Sequence, residues 1–401
     1  MTTRTGPRAT RETRPATATT LTRAEIEARG HPVWAEIDLA ALRHNVATLR
    51  ALAPGAELMG VVKAYAYGHG NPQCAAAMLE AGATRIGVAR VAEAIHLREA
   101  GVAAPIHVFT EPPPGAVATM VGLGLTPTVY TEPFAAALSD AARAAGRTIA
   151  VHVKLDTGMH RVGLPPDDVP DAIRALRRLP SIAIEGAWSH LAVADVPDHP
   201  FNRKQLELFC DLVEKIERAG VRLRYRHLAN SAATMSLPET HFDLVRCGVA
   251  SFGLWPGAAL TDAADLRPVM SLRARVNMVK ELAAGEALSY GLTHELRRRG
   301  RVVTVPAGYG DGYDRGLSGR ADVLIGGRRH RVSGTVCMDQ FMVDVGDDDV
   351  GIGALATLLG RDGDERVSAE ELAAHAGTIN YEITARLGSR VPRLFLDGDG
   401  A

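Results

Sequence analysis

The sequence predicts a TIM-type (β/α)8 barrel followed by a mainly β C-terminal domain. Eight short apolar runs alternate with helical stretches between about residues 58 and 247. Strands that alternate with helices pair in parallel, and eight such units form a closed barrel. After Trp255-Pro256-Gly257 the apolar runs follow one another through glycine-rich turns, with few helices between them. The length of 401 residues also exceeds that of one compact core of ordinary size.

The barrel strands are predicted from apolar, β-branched runs of four to eight residues. They are Leu58–Lys63, Thr84–Ala89, Ile106–Phe109, Leu125–Tyr130, Ile149–Leu155, Ile182–Trp188, Arg224–Leu228 and Asp243–Cys247. The connecting stretches carry helical periodicity, and Lys204–Ala219 places its apolar residues on one helical face. We expect this barrel to occupy residues 31–260.

The second domain, expected over residues 261–401, reads as strands separated by glycines and polar turns. The predicted strands are Ser271–Val279, Arg301–Val305, Asp322–Ile325, His330–Val336 and Phe341–Val345, with helices near Ser368–Ala376 and Tyr381–Leu387. An early strand, Val33–Ile37, either opens the barrel or pairs with this second domain, and the sequence leaves both arrangements open.

Composition excludes several classes of protein. The formal net charge is -1, which gives no global field to attract nucleic acid or an anionic membrane. The four cysteines are far apart and form no C-x-x-C pair, so we expect neither a metal site nor a disulfide framework. Free thiols and the lack of a long apolar run favour a cytoplasmic protein without a membrane segment.

Residues 1–30 are expected to be a disordered tail. Arginines and threonines dominate its first part, with Glu12 as the one acid among residues 1–20. An apolar h-region is absent from this stretch, so it does not read as a secretion signal. An Arg-rich, acid-poor start can imitate a transit peptide, but low hydrophobicity favours disorder.

Polar residues collect where the predicted barrel strands end, which is the face that carries catalytic groups in such barrels. A lysine after an apolar strand, Lys63, is partly desolvated and so favours a neutral amine able to form a Schiff base with an aldehyde cofactor. The alternative is a strand-end lysine that reaches solvent. Ser231 and Gly248 follow the last two strands and suit a phosphate, although Ser231 also reads as a plain helix start.

A buried arginine, Arg246, lies between Val245 and Cys247 on a predicted strand. Buried arginines require partners. Two partners remain open at this point, namely an internal ion pair with Asp243 or a bound ligand.

These residues lie inside strings that resemble those of the alanine racemase family. The strings are VVKAYAYGHG at 61–70, DTGMHRVG at 156–163, HLANS at 227–231, VRCG at 245–248, SYG at 289–291, GYGDG at 308–312, CMDQ at 337–340 and SRVPR at 389–393. The matches run in order from about residue 33 to 393, which is nearly the whole chain. The lysine string is specific to the family's cofactor attachment site.

The resemblance implies pyridoxal 5'-phosphate as the cofactor. Lys63 would hold it as a Schiff base, and Arg246 would face its pyridine nitrogen. The residues implied for the phosphate are Tyr67, Ser231, Gly248, Val249 and Tyr381. A permanently charged guanidinium disfavours protonation of the ring nitrogen, which weakens the electron sink and suits a racemase.

The resemblance also implies racemisation of alanine by two bases, Lys63 and Tyr290, one on each face of Cα. His190 and Arg246 would assist the tyrosine, whose reference pKa is too high for a base. The family forms head-to-tail homodimers in which this tyrosine comes from the partner chain. D-alanine made in this way supplies bacterial peptidoglycan.

Substrate binding is implied for residues of both domains. Arg161 and the Met338 backbone N–H would hold the substrate carboxylate, and Tyr309 and Asp339 belong to the same set. Lys154 matches a lysine that is carbamylated in some relatives, and an ordinary inward or solvated lysine is an equal alternative.

Three departures from the family strings bear on substrate breadth, and one of them is Ser251-Phe252-Gly253 in place of a more usual pattern. Tyr65 replaces the more usual Asn or Asp and is expected to crowd or shape the cofactor edge. His160 replaces a common Gly before Arg161. The alternative function is therefore a broader, serine or basic amino-acid racemase on the same scaffold. A decarboxylase of similar plan lacks support because no triple-glycine phosphate loop follows strand seven, and a cofactor carrier would lack the second domain.

Overall fold

A computed structural model describes residues 21–261 and 263–398. Eight parallel strands form a nearly closed barrel, as predicted. In order, they are Glu57–Val61, Arg85–Val88, Ile106–Val108, Thr126–Val129, Ile149–Lys154, Ile182–Trp188, Tyr225–His227 and Leu244–Cys247. The first and last pair directly, with Glu57 opposite Leu244. The seventh and eighth are joined by two backbone hydrogen bonds, Asp243 N to Arg226 O and Arg246 N to Ala229 O, both 3.1 Å.

Helices cover the outside of the barrel. They are Leu39–Leu52, Asn71–Glu80, Val91–Glu99, Val117–Gly122, Glu132–Ala144, Val169–Arg178, Pro200–Arg218 and Ser231–Ser236. Helix Pro200–Arg218 buries Phe209, Leu212 and Ile216 on one face, which confirms the periodicity of the sequence. Helix Leu39–Leu52 begins at Asp38, whose side chain accepts a hydrogen bond from Ala41 N at 2.9 Å.

The second domain is built on a ten-stranded sheet among the described residues. Its main path is Met278–Leu282, Gly300–Val305, Phe341–Gly346, Arg328–Ser333, Asp322–Ile325, Leu355–Asp362, Met270–Arg275, Val33–Asp38 and Arg393–Leu396, and Glu365–Val367 pairs with Leu355–Asp362. A separate hairpin joins Ala287–Leu288 to His294–Glu295. Helices Ala369–Ala376 and Asn380–Ala385 pack on each other near the chain's end.

The early strand Val33–Asp38 belongs to this second sheet and not to the barrel. It pairs antiparallel with Met270–Arg275 and parallel with Arg393–Leu396. The chain therefore begins in the second sheet, builds the barrel, and returns to complete the sheet. This settles the position that the sequence left open.

Two further expectations need correction. The predicted strand Ser271–Val279 is two strands, because the chain changes partner between Arg275 and Met278. The expected disordered tail is too long at its C-terminal end: Arg23–Ala28 is a helix with a Thr22–Glu25 capping box. Ile26 packs with Trp34, so this turn gains buried apolar contact. Residues 1–20 of the tail lie outside the described residues.

Hydrophobic packing is continuous between the two domains, because one buried cluster contains residues of both. In the described residues no helix is long and apolar enough to cross a membrane.

Candidate active site

A cavity of about 640 Å³ opens at the carboxyl ends of the barrel strands. Ten of the residues predicted from the sequence line it. They are Lys63, Tyr67, Lys154, Arg161, His190, Ser231, Arg246, Gly248, Val249 and Tyr381. All come from the barrel except Tyr381, which lies on helix Asn380–Ala385 of the second domain.

Lys63 stands on a left-handed turn. The preceding strand ends at Val61, two residues earlier than predicted. Residues 64–67 all have φ between 51° and 56°, a conformation that costs roughly 1–2 kcal/mol per L-residue. Hydrogen bonds from Ala66 N to Val62 O (2.8 Å) and from Ala64 N to Glu93 Oε1 (2.6 Å) hold the turn. Surrounding structure therefore imposes this conformation, as is common at functional sites.

The Lys63 amine is placed among basic groups. Its Nζ lies 5.9 Å from the centre of the Tyr67 ring. Burial lowers the pKa of Lys63, and the nearby Arg161 guanidinium lowers it further. The lysine is thus biased toward the neutral, nucleophilic amine that the sequence predicted.

An anion cradle forms beside this turn from the ends of the last two strands. The Ser231 hydroxyl accepts a hydrogen bond from Gly248 N at 2.9 Å. A Cβ on Gly248 would collide with the Tyr67 hydroxyl, so glycine permits the close approach of backbone and ring. Burial raises the pKa of Tyr67, which keeps its hydroxyl protonated as a donor. The Tyr381 ring lies 6.2 Å from the Tyr67 ring.

Arg246 is 4% exposed and is held by backbone carbonyls. Its guanidinium donates to His227 O (2.8 Å), Ser189 O (2.8 Å) and Leu228 O (3.0 Å). The predicted alternative of an ion pair with Asp243 is wrong, because Asp243 binds Arg226 at 2.7 Å. Burial lowers the pKa of Arg246 to about 9, so it remains charged at neutral pH.

The Arg246 guanidinium also reaches His190. Its Nη2 lies 3.2 Å from His190 Nδ1. Because an arginine only donates, this histidine nitrogen accepts. Burial and the adjacent guanidinium hold the pKa of His190 well below its usual value. His190 is therefore neutral and carries its proton on Nε2.

Lys154 is a second buried amine at the cavity, only 3% exposed. Its Nζ donates to Leu155 O at 2.6 Å and lies 3.4 Å from Ser189 Oγ and 5.0 Å from the Trp188 ring centre. Burial lowers the pKa of Lys154 to about 7, and the positive charge of Arg246 contributes to this shift.

Four predicted site residues of the second domain do not line this cavity. Tyr290, Tyr309, Met338 and Asp339 are all exposed, and Tyr290 is 74% exposed. They are close to one another in the fold: Tyr309 N donates to Cys337 O at 3.1 Å, beside Met338. A single chain therefore leaves this second group apart from the barrel cavity.

Some cavity residues escaped the sequence reasoning. The Trp188 ring contacts two basic groups. Its centre lies 4.9 Å from the Arg246 guanidinium and 5.0 Å from Lys154 Nζ. Phe109 and Asp195 also line the cavity. Trp188 directly precedes Ser189-His190 at a strand end, so its position in the sequence carried the signal, whereas Asp195 lies in a loop without one.

The three departures from the family strings, Tyr65, His160 and Ser251-Phe252-Gly253, lie outside the cavity lining. The Tyr65 ring centre lies 5.6 Å from the Arg393 guanidinium. The exposed His160 instead binds Asp156 through Nδ1 at 3.0 Å. The doubt they raised about substrate breadth therefore has no support in the cavity.

Comparisons with known proteins agree with this geometry. The family model of the alanine racemase N-terminal domain matches residues 37–256, and that of the C-terminal domain matches residues 269–395. An alanine racemase of Symbiobacterium thermophilum is 45% identical over 365 residues, which is 91% of this chain and 97% of the relative. That of Carboxydothermus hydrogenoformans is 41% identical and covers 91% and 100%.

Solved structures show the same architecture. Alanine racemase from Streptomyces coelicolor is 41% identical with a TM-score of 0.89, covering 93% of this chain and 100% of that one. The Bacillus anthracis alanine racemase with bound L-Ala-P is 35% identical with a TM-score of 0.87, covering 92% and 96%. The two family models together span most of the sequence, and the two relatives named above are 45% and 41% identical to it. This chain belongs to the alanine racemase family.

Proposed function

We propose that the protein interconverts L-alanine and D-alanine with pyridoxal 5'-phosphate as cofactor. The observation that carries the proposal is the convergence, in one cavity, of a low-pKa lysine, an anion cradle and a buried arginine. The D-alanine produced would serve peptidoglycan synthesis.

The residues present fit the cofactor. The cradle of Tyr67, Ser231 and Gly248 offers hydroxyl donors and a backbone cleared of Cβ, which suits a phosphate. Lys63 supplies the amine for covalent attachment. When bound, pyridoxal phosphate supplies the electron sink that stabilises negative charge at the substrate Cα.

Arg246 is proposed to set how strong that sink is. The guanidinium stays charged at neutral pH, and its carbonyl partners fix its orientation. A cation in this position disfavours a proton on a facing ring nitrogen. Arg246 would thereby keep the electron-withdrawing power of the bound cofactor low, which would protect against side reactions such as transamination.

Proton transfer needs one base on each face of Cα. Lys63 provides one, because its lowered pKa favours the neutral amine, which is the form that accepts a proton. We assign the other to Tyr290 of the partner subunit. His190, neutral with its proton on Nε2, is the donor available to that tyrosine oxygen, and Arg246 orients His190 from behind.

A head-to-tail homodimer would complete the site. The exposure of Tyr290, Tyr309 and Met338, three large apolar side chains, supports a covered surface there. The second domain of one chain would then close the barrel of the other, whose strands lie between Glu57 and Cys247. Arg161 and the Met338 backbone N–H of the partner subunit are proposed to hold the substrate carboxylate, with Tyr309 and Asp339 of the partner subunit beside them.

Lys154 is proposed to carry a carbamate. A pKa of about 7 leaves much of the amine neutral, and a neutral amine is the form that adds to carbon dioxide. The resulting anion would pair with Arg161, which lines the same cavity. Incubation with 13C-bicarbonate should give a carbamate NMR signal that is absent in Lys154→Met.

The first test is a visible spectrum of the purified protein, followed by L-alanine in deuterated water. We expect a yellow protein whose band is lost on borohydride reduction, and deuterium at Cα as D-alanine forms. A yellow protein that acts on serine or lysine and not on alanine would transfer the proposal to the broader racemases. A protein that stays colourless and inert with added cofactor would overturn it.

A further inference from the structure

Three histidines fill the interior of the barrel. His107, His152 and His227 lie on three different strands and are all 0% exposed. Barrel interiors are usually packed with branched aliphatic side chains. Buried polar groups are costly unless they are hydrogen-bonded, so a cluster of this kind requires an explanation. The proton transfers proposed above do not use any of the three.

Two of these histidines connect the active site to a carboxylate. His227 Nδ1 lies 3.2 Å from Arg246 Nη1. His227 Nε2 lies 2.8 Å from His152 Nδ1, and His152 Nε2 lies 3.2 Å from Glu185 Oε2. Four side chains thus form one continuous line of hydrogen bonds, which we call the histidine line.

The histidine line crosses the barrel. Arg246 lines the cavity at the carboxyl ends of the strands. Glu185 has basic neighbours at the opposite end: Arg85 begins its strand and lies 4.0 Å away, and Arg224 immediately precedes its strand and lies 3.8 Å away. The Glu185 side chain is partly exposed, unlike the two histidines.

The chemistry of the donors allows one direction only. Arginine has no acceptor, so His227 Nδ1 must accept from Arg246. A neutral His227 then carries its proton on Nε2 and donates to His152 Nδ1. His152 in turn carries its proton on Nε2 and donates to the Glu185 carboxylate. The opposite direction would place an N–H against the guanidinium N–H.

The surroundings keep both histidines neutral. Burial holds the pKa of His227 well below its usual value, and it lowers the pKa of His152. The charged and titratable groups that face them are Arg85, Arg246, Glu185, His107 and Tyr225, whose ring stacks on His152 at 5.8 Å. His107 is a neighbour outside the histidine line, because its Nε2 binds Thr128 Oγ1 at 2.9 Å.

We propose that Glu185, His152 and His227 are positioning residues that fix the donor arrangement of Arg246 from the far end of the barrel. This inference rests on the proposed function. With Nη1 committed to His227, Nη2 is left to Ser189 O, Leu228 O and His190 Nδ1. The histidine line thereby holds the guanidinium in the orientation that donates from Nη2 to His190 Nδ1 and leaves the His190 Nε2–H for Tyr290 of the partner subunit.

Glu185 is the residue to change, because it is remote from the cavity. Glu185→Leu removes the acceptor of the His152 Nε2–H and leaves that buried donor without a partner. Glu185→Gln keeps an amide oxygen as acceptor without the charge. Glu57→Leu is the matched control: Glu57 accepts from the Tyr225 hydroxyl at 3.1 Å and from Thr84, without a hydrogen bond to the histidine line.

The readout is the tautomer of each histidine, measured by NMR on full-length protein labelled with 15N-histidine. Signals of His152 and His227 are assigned by their loss in His152→Gln and His227→Gln. We expect both as neutral Nε2–H tautomers in the unaltered protein and in Glu57→Leu. Glu185→Leu should leave His227 as the Nε2–H tautomer, because Arg246 still donates to its Nδ1, but it should shift the His152 Nε2 signal, whose N–H has lost its acceptor. Glu185→Gln should restore that signal.

Racemisation of alanine is the second readout. Glu185→Leu should lower kcat roughly tenfold, the value of one charge-assisted hydrogen bond, with little change in KM. Glu185→Gln should recover most of it. A charged or Nδ1–H His227 in the unaltered protein, or equal effects from Glu57→Leu, would overturn the inference. The expected tautomers in a protein without alanine turnover would instead count against the proposed function alone.

Discussion

Three basic side chains meet in one cavity, those of Lys63, Lys154 and Arg246. Burial lowers the pKa of each. Mutual repulsion adds to this effect, because Arg161 acts on Lys63 and Arg246 acts on Lys154. The two amines are thereby biased toward their neutral forms, while the guanidinium keeps its charge at neutral pH. Burial among like charges thus gives two amines that favour the neutral form, Lys63 and Lys154, and one arginine that stays charged, Arg246.

Lys63→Ala should abolish cofactor attachment, because no amine remains on the turn to bind it. We expect a purified protein without the yellow band that borohydride removes from the unaltered protein, and a fall in kcat/KM of roughly 10^3-fold or more. The visible spectrum and the racemisation rate measure this. Lys204→Ala, on the exposed face of helix Pro200–Arg218, is the control and should leave both unchanged. A yellow Lys63→Ala would remove Lys63 from its assigned role.

Lys154→Met should stabilise the protein in a pH-dependent way. The folded chain releases the Lys154 proton near pH 7, whereas the unfolded chain holds it to about 10.5. Between these values the unfolded state binds more protons, so stability of the natural protein rises with pH. Removing the amine therefore helps most at pH 7 and below, by on the order of a few kcal/mol.

Melting temperatures of both proteins at pH 6.5 and 9.5, in buffer free of carbon dioxide, test this expectation. The gap between them should narrow at the higher pH, because all other groups titrate equally in the two proteins. A gap of the same size at both pH values would show that Lys154 is not strongly desolvated.

At this scale the sequence predicted the barrel residues well. Each strand end carries its polar side chain to one rim, so Lys63, Ser231 and Arg246 meet as expected. The hydrogen-bond partners of buried side chains were harder to predict from the sequence. Arg246 avoids Asp243, and the histidine line depends on three strands whose relative register the sequence does not encode locally.

At the scale of elements, the left-handed turn at residues 64–67 is the largest departure from local expectation. Alanines and tyrosines in this order favour an ordinary right-handed helix. The turn is stabilised instead by tertiary contact: Glu93 binds Ala64 N, and the backbone at Gly68 packs against the carbonyl of Thr384. Propensity could not reveal it, because the stabilising groups are distant in sequence.

Gly68→Ala should separate this turn from helix Asn380–Ala385, which carries Tyr381. A Cβ on Gly68 would collide with the Thr384 carbonyl oxygen, and φ of 87° adds strain. We expect weaker cofactor binding and a lower melting temperature. Gly101→Ala is matched in strain, with φ of 86°, but has open space around it.

Gly101→Ala should therefore cost only about 1 kcal/mol and leave cofactor binding intact. Melting curves and titration of the cofactor into apoprotein compare the two variants. Equal losses in both would assign the effect of Gly68→Ala to backbone strain and not to the contact with Thr384.

Strands of the barrel were all predicted, because a buried parallel strand is a short apolar run followed by a helix. Strands of the second sheet were predicted less completely. Leu355–Asp362 and Arg393–Leu396 were missed, and Val33–Asp38 could not be placed. The latter two pair with each other across almost the whole length of the chain, a contact without a local signature.

At the scale of the whole molecule, the predicted site residues form two separate groups. One lines the barrel cavity, and the other, with Tyr290, is exposed on the second domain. A head-to-tail dimer would bring the first group of one chain to the second group of its partner, because a two-fold interface repeats each contact twice. Each site then depends on two chains.

Mixing two inactive variants tests this dependence. Lys63→Ala disables the barrel part of a site and Tyr290→Ala disables the second-domain part. In a mixed dimer one site collects both defects and the other has neither. If chains are unfolded and refolded together in equal amounts, half the dimers are mixed and half their sites intact, so about a quarter of full activity should return.

The matched control mixes Lys63→Ala with His190→Ala, two defects of the same barrel. Every site in such a mixed dimer keeps one defect, so refolding together should restore nothing. Tyr290→Ala alone should retain the yellow colour and lose Cα deuterium exchange mainly from L-alanine, because only one of the two bases is missing. No recovery in the first mixture would place Tyr290 and Lys63 in the site of a single chain, and recovery in the control mixture would place Lys63 and His190 in the sites of different chains.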